Sequence, residues 1–263
     1  MADAPLVLTE TRGAALIVTL NRPEAKNALS PELVAALRPI FDEKGTSAAT
    51  RGIVITGAGD DFCAGADLKV LQQLASRTEA ENLEDSRRLA DLFKAIHTGP
   101  KPVVAAVRGH ALAGGAGLAC VCDHVVAASD ARFGFTEARI GFLAAIVARF
   151  LVDRAGSRVG RELLLSARRV EAEEARSLGL ADELAPAADV VARAVAWIDS
   201  LKASSPQSIA ATRRLLAELP GLQLDEGLDH AAQRNAQMRA QSDCREGVAA
   251  FLEKRKPRWL AGP

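Results

Sequence analysis

Two apolar runs of strand length each end in a glycine-rich turn that leads into a helical stretch, and this repeated feature points to an α/β chain. The runs are residues 52–57 and 102–108. The first continues into Gly57-Ala58-Gly59-Asp60-Asp61-Phe62-Cys63-Ala64-Gly65-Ala66-Asp67, the second into Gly109-His110-Ala111-Leu112-Ala113-Gly114-Gly115-Ala116-Gly117. Unbroken apolar runs of this length fit strands buried on both faces. Glycines at the start of a helix let another group approach the backbone and leave N–H groups unpaired. A lone glycine pair reads best as a tight packing turn, but two amide-presenting turns can clamp one oxygen.

The rest of the pattern supports this class. Strand signals cover residues 14–20, 124–128 and 132–135, and Ser30 with Pro31 supplies an N-cap and first helical residue. A polar helical stretch runs to about His97, and residues 114–123 read as a short helix. Beyond Leu143 β-signals nearly vanish, apart from residues 182–184. Ser157 can open one helix and Gly179 end another, and residues 189–201, 205–218 and 243–254 carry helical spacing. Helices therefore lie on a sheet in the first part and dominate the second. Strand order does not follow from the pattern.

Composition narrows the function classes. Lys plus Arg and Asp plus Glu each number 33, so no global field draws the chain to nucleic acid or an anionic membrane. No apolar run reaches spanning length, and residues 1–10 lack a secretory signal, so a soluble cytoplasmic protein is expected. Cys63, Cys120, Cys122 and Cys244 contain no CxxC pair and fit buried reduced thiols. His97, His110, His124 and His230 are not spaced as metal ligands, so no metal site is expected. His110, beside the second turn, reads best as a packed or backbone-bonded histidine.

Phosphate loops fail on residues. A Walker A loop needs Lys and then Ser or Thr after its second glycine, whereas Gly114 is followed by Gly115 and Ala116. A dinucleotide fingerprint begun at Gly115 meets Cys120 in place of its third small residue. An anion or oxyanion site remains.

At the level of motifs, the chain resembles the enoyl-CoA hydratase/isomerase (crotonase) family over nearly its whole length. Residues 21–29 (NRPEAKNAL) resemble the first CoA-contacting loop, and 64–69 (AGADLK) the segment with the first oxyanion amide. Residues 101–109 with Ala113-Gly114-Gly115 resemble the segment carrying the second, and 246–255 the C-terminal helix. The resemblance implies a crotonase-like spiral of repeated ββα units with a helical C-terminal region. It implies a core over residues 1–200, a helical oligomerisation region over 201–263, and a homotrimer or homohexamer. No cofactor is implied beyond the coenzyme A of an acyl-CoA thioester substrate.

The same resemblance assigns roles. The backbone N–H groups of Ala66 and Gly114 hold the thioester carbonyl, and losing one such donor typically costs about 10²- to 10³-fold in rate. Lys26, Ala28, Ala64, Ala66, Asp67, Leu68 and Gly114 line the CoA path. Phe251 and Lys254 complete an adenine or phosphate site, in a neighbouring subunit. The side chain of Asp67 also reads as a charge favouring the next helix N-terminus, and Lys26 as a solvated lysine. Where two-glutamate hydratases carry their first acid this chain has Gly117, so Glu137 is the acid/base left. Taken alone, Glu137 would read as a surface glutamate paired with Arg132 or Arg139. With no tyrosine in the chain, a tyrosine acid is excluded.

One glutamate suits hydration of a 2-enoyl-CoA or migration of its double bond. The overall pattern places hydratase first and isomerase second, with a low-activity acyl-CoA binding protein as a further alternative. An RNA-binding member would need a Lys-rich helix with interleaved aromatics, which the sequence does not offer. Residues 143–147 (LAAIV) replace a Pro- and Gly-rich turn common in two-glutamate hydratases, so a differently shaped acyl pocket is expected.

Overall fold

A computed structural model of the protein describes residues 4–42, 49–67, 70–72 and 76–260. Its strands are β1 (Val7–Arg12), β2 (Ala15–Leu20), β3 (Gly52–Gly57), β4 (Val103–Val107), β5 (His110–Leu112), β6 (His124–Ala128), β7 (Arg132–Gly134), β8 (Arg169–Glu171) and β9 (Glu183–Ala185). Its helices are α1 (Pro31–Leu37), α2 (Glu79–Thr98), α3 (Gly114–Cys120), α4 (Ala145–Ser166), α5 (Ala172–Ser177), α6 (Val190–Ser200), α7 (Pro206–Glu218), α8 (Leu224–Arg239) and α9 (Ser242–Leu252).

The main sheet runs β1-β2-β3-β4-β6-β9. Only the β1–β2 pair is antiparallel. Every residue of β3 and β4 is buried, as expected for parallel strands covered on both faces. A smaller layer joins β5, β7 and β8, and single parallel bridges from Cys63 to Ala111 and from Leu29 to Ala66 extend it. Thus β4 hands the chain to β5 and then to α3, and β6 to β7 and then, past the 3₁₀ turn at Glu137, to α4, while β2 and β3 pass through the bridged residues Leu29 and Cys63 before their helical segments. Successive units stack in the same order in both layers, which is the ββα spiral.

Local chemistry sets the boundaries. Ser30 Oγ accepts the Leu33 amide at 3.3 Å, and Pro31 opens α1. Thr78 and Glu81 form a capping box at the start of α2. Gly156, at φ 82 and ψ 160, breaks α4, and the helix resumes at Ser157, the position at which a helix start is expected. Four elements escape the sequence pattern: β1, whose residues are mostly exposed, the three-residue strands β5 and β8, and α8, which buries no residue.

A 3₁₀ turn at Leu201–Ala203 separates α6, which packs on the main sheet, from the C-terminal helices. Those helices are held to the core by one buried arginine. Arg213 Nε donates to Asp123 Oδ1 at 2.9 Å and Nη2 to Ile96 O at 2.8 Å, while Nη1 reaches Gly99 O. It therefore satisfies carbonyls left open at the end of α2, favoured by the charge on that helix terminus. Asp123 in turn accepts the Val103 amide at 2.7 Å, so the arginine is tied to the start of β4. Among the described residues, no helix is long and apolar enough to cross a membrane.

Arg213→Ala removes the buried partner of a pair whose carboxylate, Asp123, stays open to solvent, and strips the donors from these carbonyls at once. A loss of about 1–3 kcal/mol is expected, read as a lower urea midpoint, since leaving buried acceptors unsatisfied costs about that much. Restoring charge with Arg213→Lys should recover only a minor part, because a single ammonium cannot serve the same fork of acceptors.

Candidate active site

The two glycine turns meet. Leu29 N–H donates to Gly65 O at 2.7 Å and Asp67 N–H to Leu29 O at 3.2 Å, so the peptides on either side of Ala66 face Leu29. By strand alternation the Ala66 N–H faces the other way. It donates to no backbone acceptor among the described residues, and nor does the N–H of Gly114, the first residue of α3. A Cβ added at Gly114 would lie 3.9 Å from Ala66 N, and one added at Gly65 3.1 Å from Gly114 N. Two unspent amides therefore lie side by side, the arrangement an oxyanion requires.

Backbone conformation aims both donors. Each follows a residue of positive φ: Gly65 at +94 precedes Ala66, and Ala113 at φ 50, ψ −122 precedes Gly114. For a residue with a Cβ this is a strained conformation costing about 1–3 kcal/mol. The Ala113 amide, bonded to Gly134 O at 2.7 Å, helps hold it. Gly65 has to be bare, since its Cβ would stand 2.6 Å from that of Ala113, and Gly115 likewise, with its Cβ 2.1 Å from Cys63 O.

Gly134, on the same β7 that clamps Ala113, leads within three residues to Glu137. The 3₁₀ turn Glu137–Ile140 closes at Gly141, whose φ of 72 suits glycine, and Phe142 N–H donates to Glu137 O at 3.0 Å. Glu137 is only 7% exposed, and its Oε2 is buried without a hydrogen-bond donor among the described residues. Burial pushes its carboxyl above the usual range, against a smaller opposing effect from its own backbone amide. The surface-pair alternative fails: Arg132 bonds Glu171 instead, at 3.2 Å.

Gly117, on α3, shows why no second carboxylate stands opposite. A Cβ there would lie 2.1 Å from Val147 Cγ1 and 3.1 Å from Phe93 Cε2. Both neighbours are buried, and Phe150 meets Phe93 edge-on at 5.7 Å. Hydrocarbon fills the place where an acid would stand. The sequence shows Gly117 and Val147 separately; their contact is visible only in the fold.

The first loop is built around a residue that sequence reasoning quotes without assigning. Asn27 is fully buried at φ 54; its Oδ1 accepts the Arg22 amide at 3.0 Å and its Nδ2 donates to Ala58 O at 2.9 Å and Asp61 O at 2.7 Å. A buried Asn inside a loop motif is the available signal. Lys26 and Ala28 sit on either side of it. Ala64 N–H donates to Lys26 O at 3.0 Å, and Arg22 Nη1 to Ala28 O at 2.6 Å, so Lys26, Ala28, Ala64, Ala66 and Gly114 form one continuous edge. The Lys26 ammonium, largely in solvent, lies 3.4 Å from Asp61.

Other residues fall elsewhere. Asp67 starts a helical turn with its carbonyl, donates its amide to Leu29 O, and forms a largely buried ion pair with Arg22 at 2.9 Å. Leu68 lies outside the described residues. Phe251, 84% exposed, and Lys254 sit at the end of α9, which packs chiefly on α7 and α8, and one chain does not bring them to the Lys26 loop. His110 Nδ1 lies 2.6 Å from Asp61 Oδ1, and its amide bonds the same oxygen at 3.0 Å, so it is a packed histidine bonded by a side chain. Burial pushes the Cys63 and Cys120 thiols up to about 12 and that of Cys122 further. These are not nucleophiles at neutral pH. No group of three or more His, Cys, Asp and Glu among the described residues could hold a metal ion.

The chain is similar to known proteins over nearly its whole length. The Enoyl-CoA hydratase/isomerase family profile matches residues 10–261. A Thermus thermophilus protein provisionally named an enoyl-CoA hydratase is 43% identical, across 94% of this chain and 98% of its own. Enoyl-CoA hydratase EchA19 of Mycobacterium tuberculosis is 32% identical, across 97% of this chain and 96% of its own. The crystal structure of an enoyl-CoA hydratase from Shewanella pealeana, 29% identical, superposes with a TM-score of 0.90 over 97% of this chain and 96% of that one. The fold is the crotonase fold, and the chain belongs to the enoyl-CoA hydratase/isomerase family.

Proposed function

We propose that this protein is an enoyl-CoA hydratase that adds water reversibly to a 2-enoyl-CoA thioester, with Glu137 as its acid/base. The observation that carries the reading is the buried Glu137 carboxylate, whose Oε2 has no hydrogen-bond partner among the described residues, on the turn that follows the strand clamping Ala113. The thioester carbonyl accepts from Ala66 and Gly114, drawing electron density from the double bond toward oxygen. Ionised Glu137 takes a proton from water as that water's oxygen bonds to the β-carbon. The enolate, its charge on the held oxygen, then recovers a proton from Glu137 at the α-carbon. Water is consumed and Glu137 returns to its starting state.

The CoA moiety follows the edge formed by Lys26, Ala28 and Ala64 toward the oxyanion pair, with Leu68 and the backbone of Asp67 beside it. Val248, Phe251 and Leu252 on α9 are strongly exposed and apolar, which supports a homotrimer or homohexamer in which Phe251 and Lys254 serve a neighbour's CoA site. Isomerisation is the second reading, because one carboxylate suffices to carry a proton from the α- to the γ-carbon. The hydratase names of the relatives favour water addition.

Incubation with a 2-enoyl-CoA and separately with a 3-enoyl-CoA, followed by mass analysis, separates the two. Hydration adds the mass of water, whereas bond migration leaves the mass unchanged. Glu137→Gln should lower turnover by about 10²- to 10⁴-fold and retain acyl-CoA binding; undiminished activity would refute the mechanism. In the hydration direction kcat/KM should rise with pH as Glu137 ionises, with a midpoint above the ordinary carboxyl value of 4.5, and the variant should lack that limb.

Stability should move the opposite way. The folded pKa of Glu137 lies above the unfolded one, so the native state binds the proton more tightly. Its contribution is fully present below the unfolded pKa and is lost as pH rises through the folded pKa. Glu137→Gln should therefore match the parent in acid and exceed it at neutral pH, by about 1 kcal/mol for each unit of displacement. Denaturant titrations at the two pH values check this.

A further inference from the structure

Val147 fills the space over Gly117 in a way that bears on substrate choice. Gly117 lies three residues beyond Gly114 on α3, about 4.5 Å along the axis and on the same face. Helical Cβ bonds lean toward the N-terminus, so whatever sits over Gly117 lies over the turn that begins with the Gly114 amide. The occupant is the isopropyl group of Val147, at 2.1 Å from the position a Cβ would take, with the Phe93 ring edge at 3.1 Å behind it. Val147 is on α4, whose start follows closely on the Glu137 turn. The carbons next to a carbonyl held by Gly114 lie within a few ångströms of this wall.

We propose that Val147 is a specificity-determining residue: its isopropyl group, seated on the bare backbone of Gly117, walls the acyl site and excludes branching at the carbons beside the thioester. The inference rests on the acyl-CoA reading of the site. A β-branched side chain has few rotamers, so the wall is stiff and its removal is felt as shape. A methyl group gained or refused by such a wall changes discrimination by about 10- to 200-fold.

The test is calorimetric binding of butanoyl-CoA and 2-methylbutanoyl-CoA, ligands that need no turnover. Val147→Ala should raise the branched-to-straight affinity ratio by about 10-fold, and Val147→Ile, which adds a methylene to the wall, should lower it. Val159→Ala, a buried change further along the same helix, should cost stability and leave the ratio alone. An unchanged ratio in both Val147 variants, or an equal change in Val159→Ala, overturns the proposal. Thermal melts of Gly117→Ala, alone and with Val147→Ala, read the contact itself. The alanine at 117 should be far better tolerated in the double variant, and equal damage in both backgrounds refutes the packing argument. Failure of the parent protein to bind either thioester would instead overturn the acyl-CoA reading, and the specificity role with it.

Discussion

The contact between residues 63–66 and residues 111–115 is the constraint on which the rest of the structure depends. Cys63 N–H donates to His110 O at 3.0 Å and Leu112 N–H to Cys63 O at 3.0 Å, which sets the register between two turns far apart in sequence. Once that register is fixed, Gly65 meets Ala113 and Gly115 meets the Cys63 carbonyl at distances that no side chain could share. The donors of Ala66 and Gly114 are left facing common space because the groups around them are committed, Gly65 O and Asp67 N–H to Leu29 and Ala113 N–H to Gly134 O. This pair of unspent amides is thus a by-product of how the two turns stack, refined by two residues held at positive φ.

Polar locks keep the first turn against the second. Asn27 ties the Lys26 loop to residues 58 and 61, Arg22 ties it to Ala28 and Asp67, and Asp61 passes the connection on to His110. Burial works against the Asp61 charge, yet the bonds from the His110 side chain and amide, with the nearby Lys26 ammonium, hold its carboxyl below the usual range. A carboxylate kept ionised is a reliable acceptor, so the loop that would carry the CoA path has a fixed position relative to the oxyanion pair. Glu137 presents the contrast. Its burial is opposed only by the smaller effect of its own backbone amide, so its carboxyl is pushed up where that of Asp61 is held down.

What was legible in the sequence follows from where information is local. Gly52–Gly57 reads as a buried strand because every position is apolar or small, and α1 because Ser30 and Pro31 mark its start within two residues. Strand β5 is three residues long inside a glycine-rich turn, and its pairing with β7 and Cys63 is the only reason it is a strand. Helix α8 buries nothing, so no apolar stripe announces it. The two glycine turns are visible as motifs, and Ala66 and Gly114 are named through the resemblance those motifs carry; the contacts that require Gly65 and Gly115 to be bare run between the turns and appear only in the fold. The burial of Glu137 was not legible, because Arg132 and Arg139 are neighbours in sequence that the fold turns away. The pairing of Gly117 with Val147 was hidden for a simpler reason: a missing side chain has no pattern until its neighbour is known.

That pairing also explains how a site of this kind tolerates one carboxylate. Two acids facing each other across an apolar cleft repel when both are ionised, and each raises the other's pKa. With Val147 and Phe93 over Gly117, the Glu137 carboxyl is shifted chiefly by burial, opposed only by its own backbone amide, with no second carboxylate acting on it. The hydrocarbon wall also removes a polar group that would need its own partner, and an unsatisfied buried polar group costs about 1–3 kcal/mol. The site already contains one such group in Glu137 and a strained residue in Ala113. Val147 packed over the bare Gly117, in place of another acid, adds no third such burden to the site.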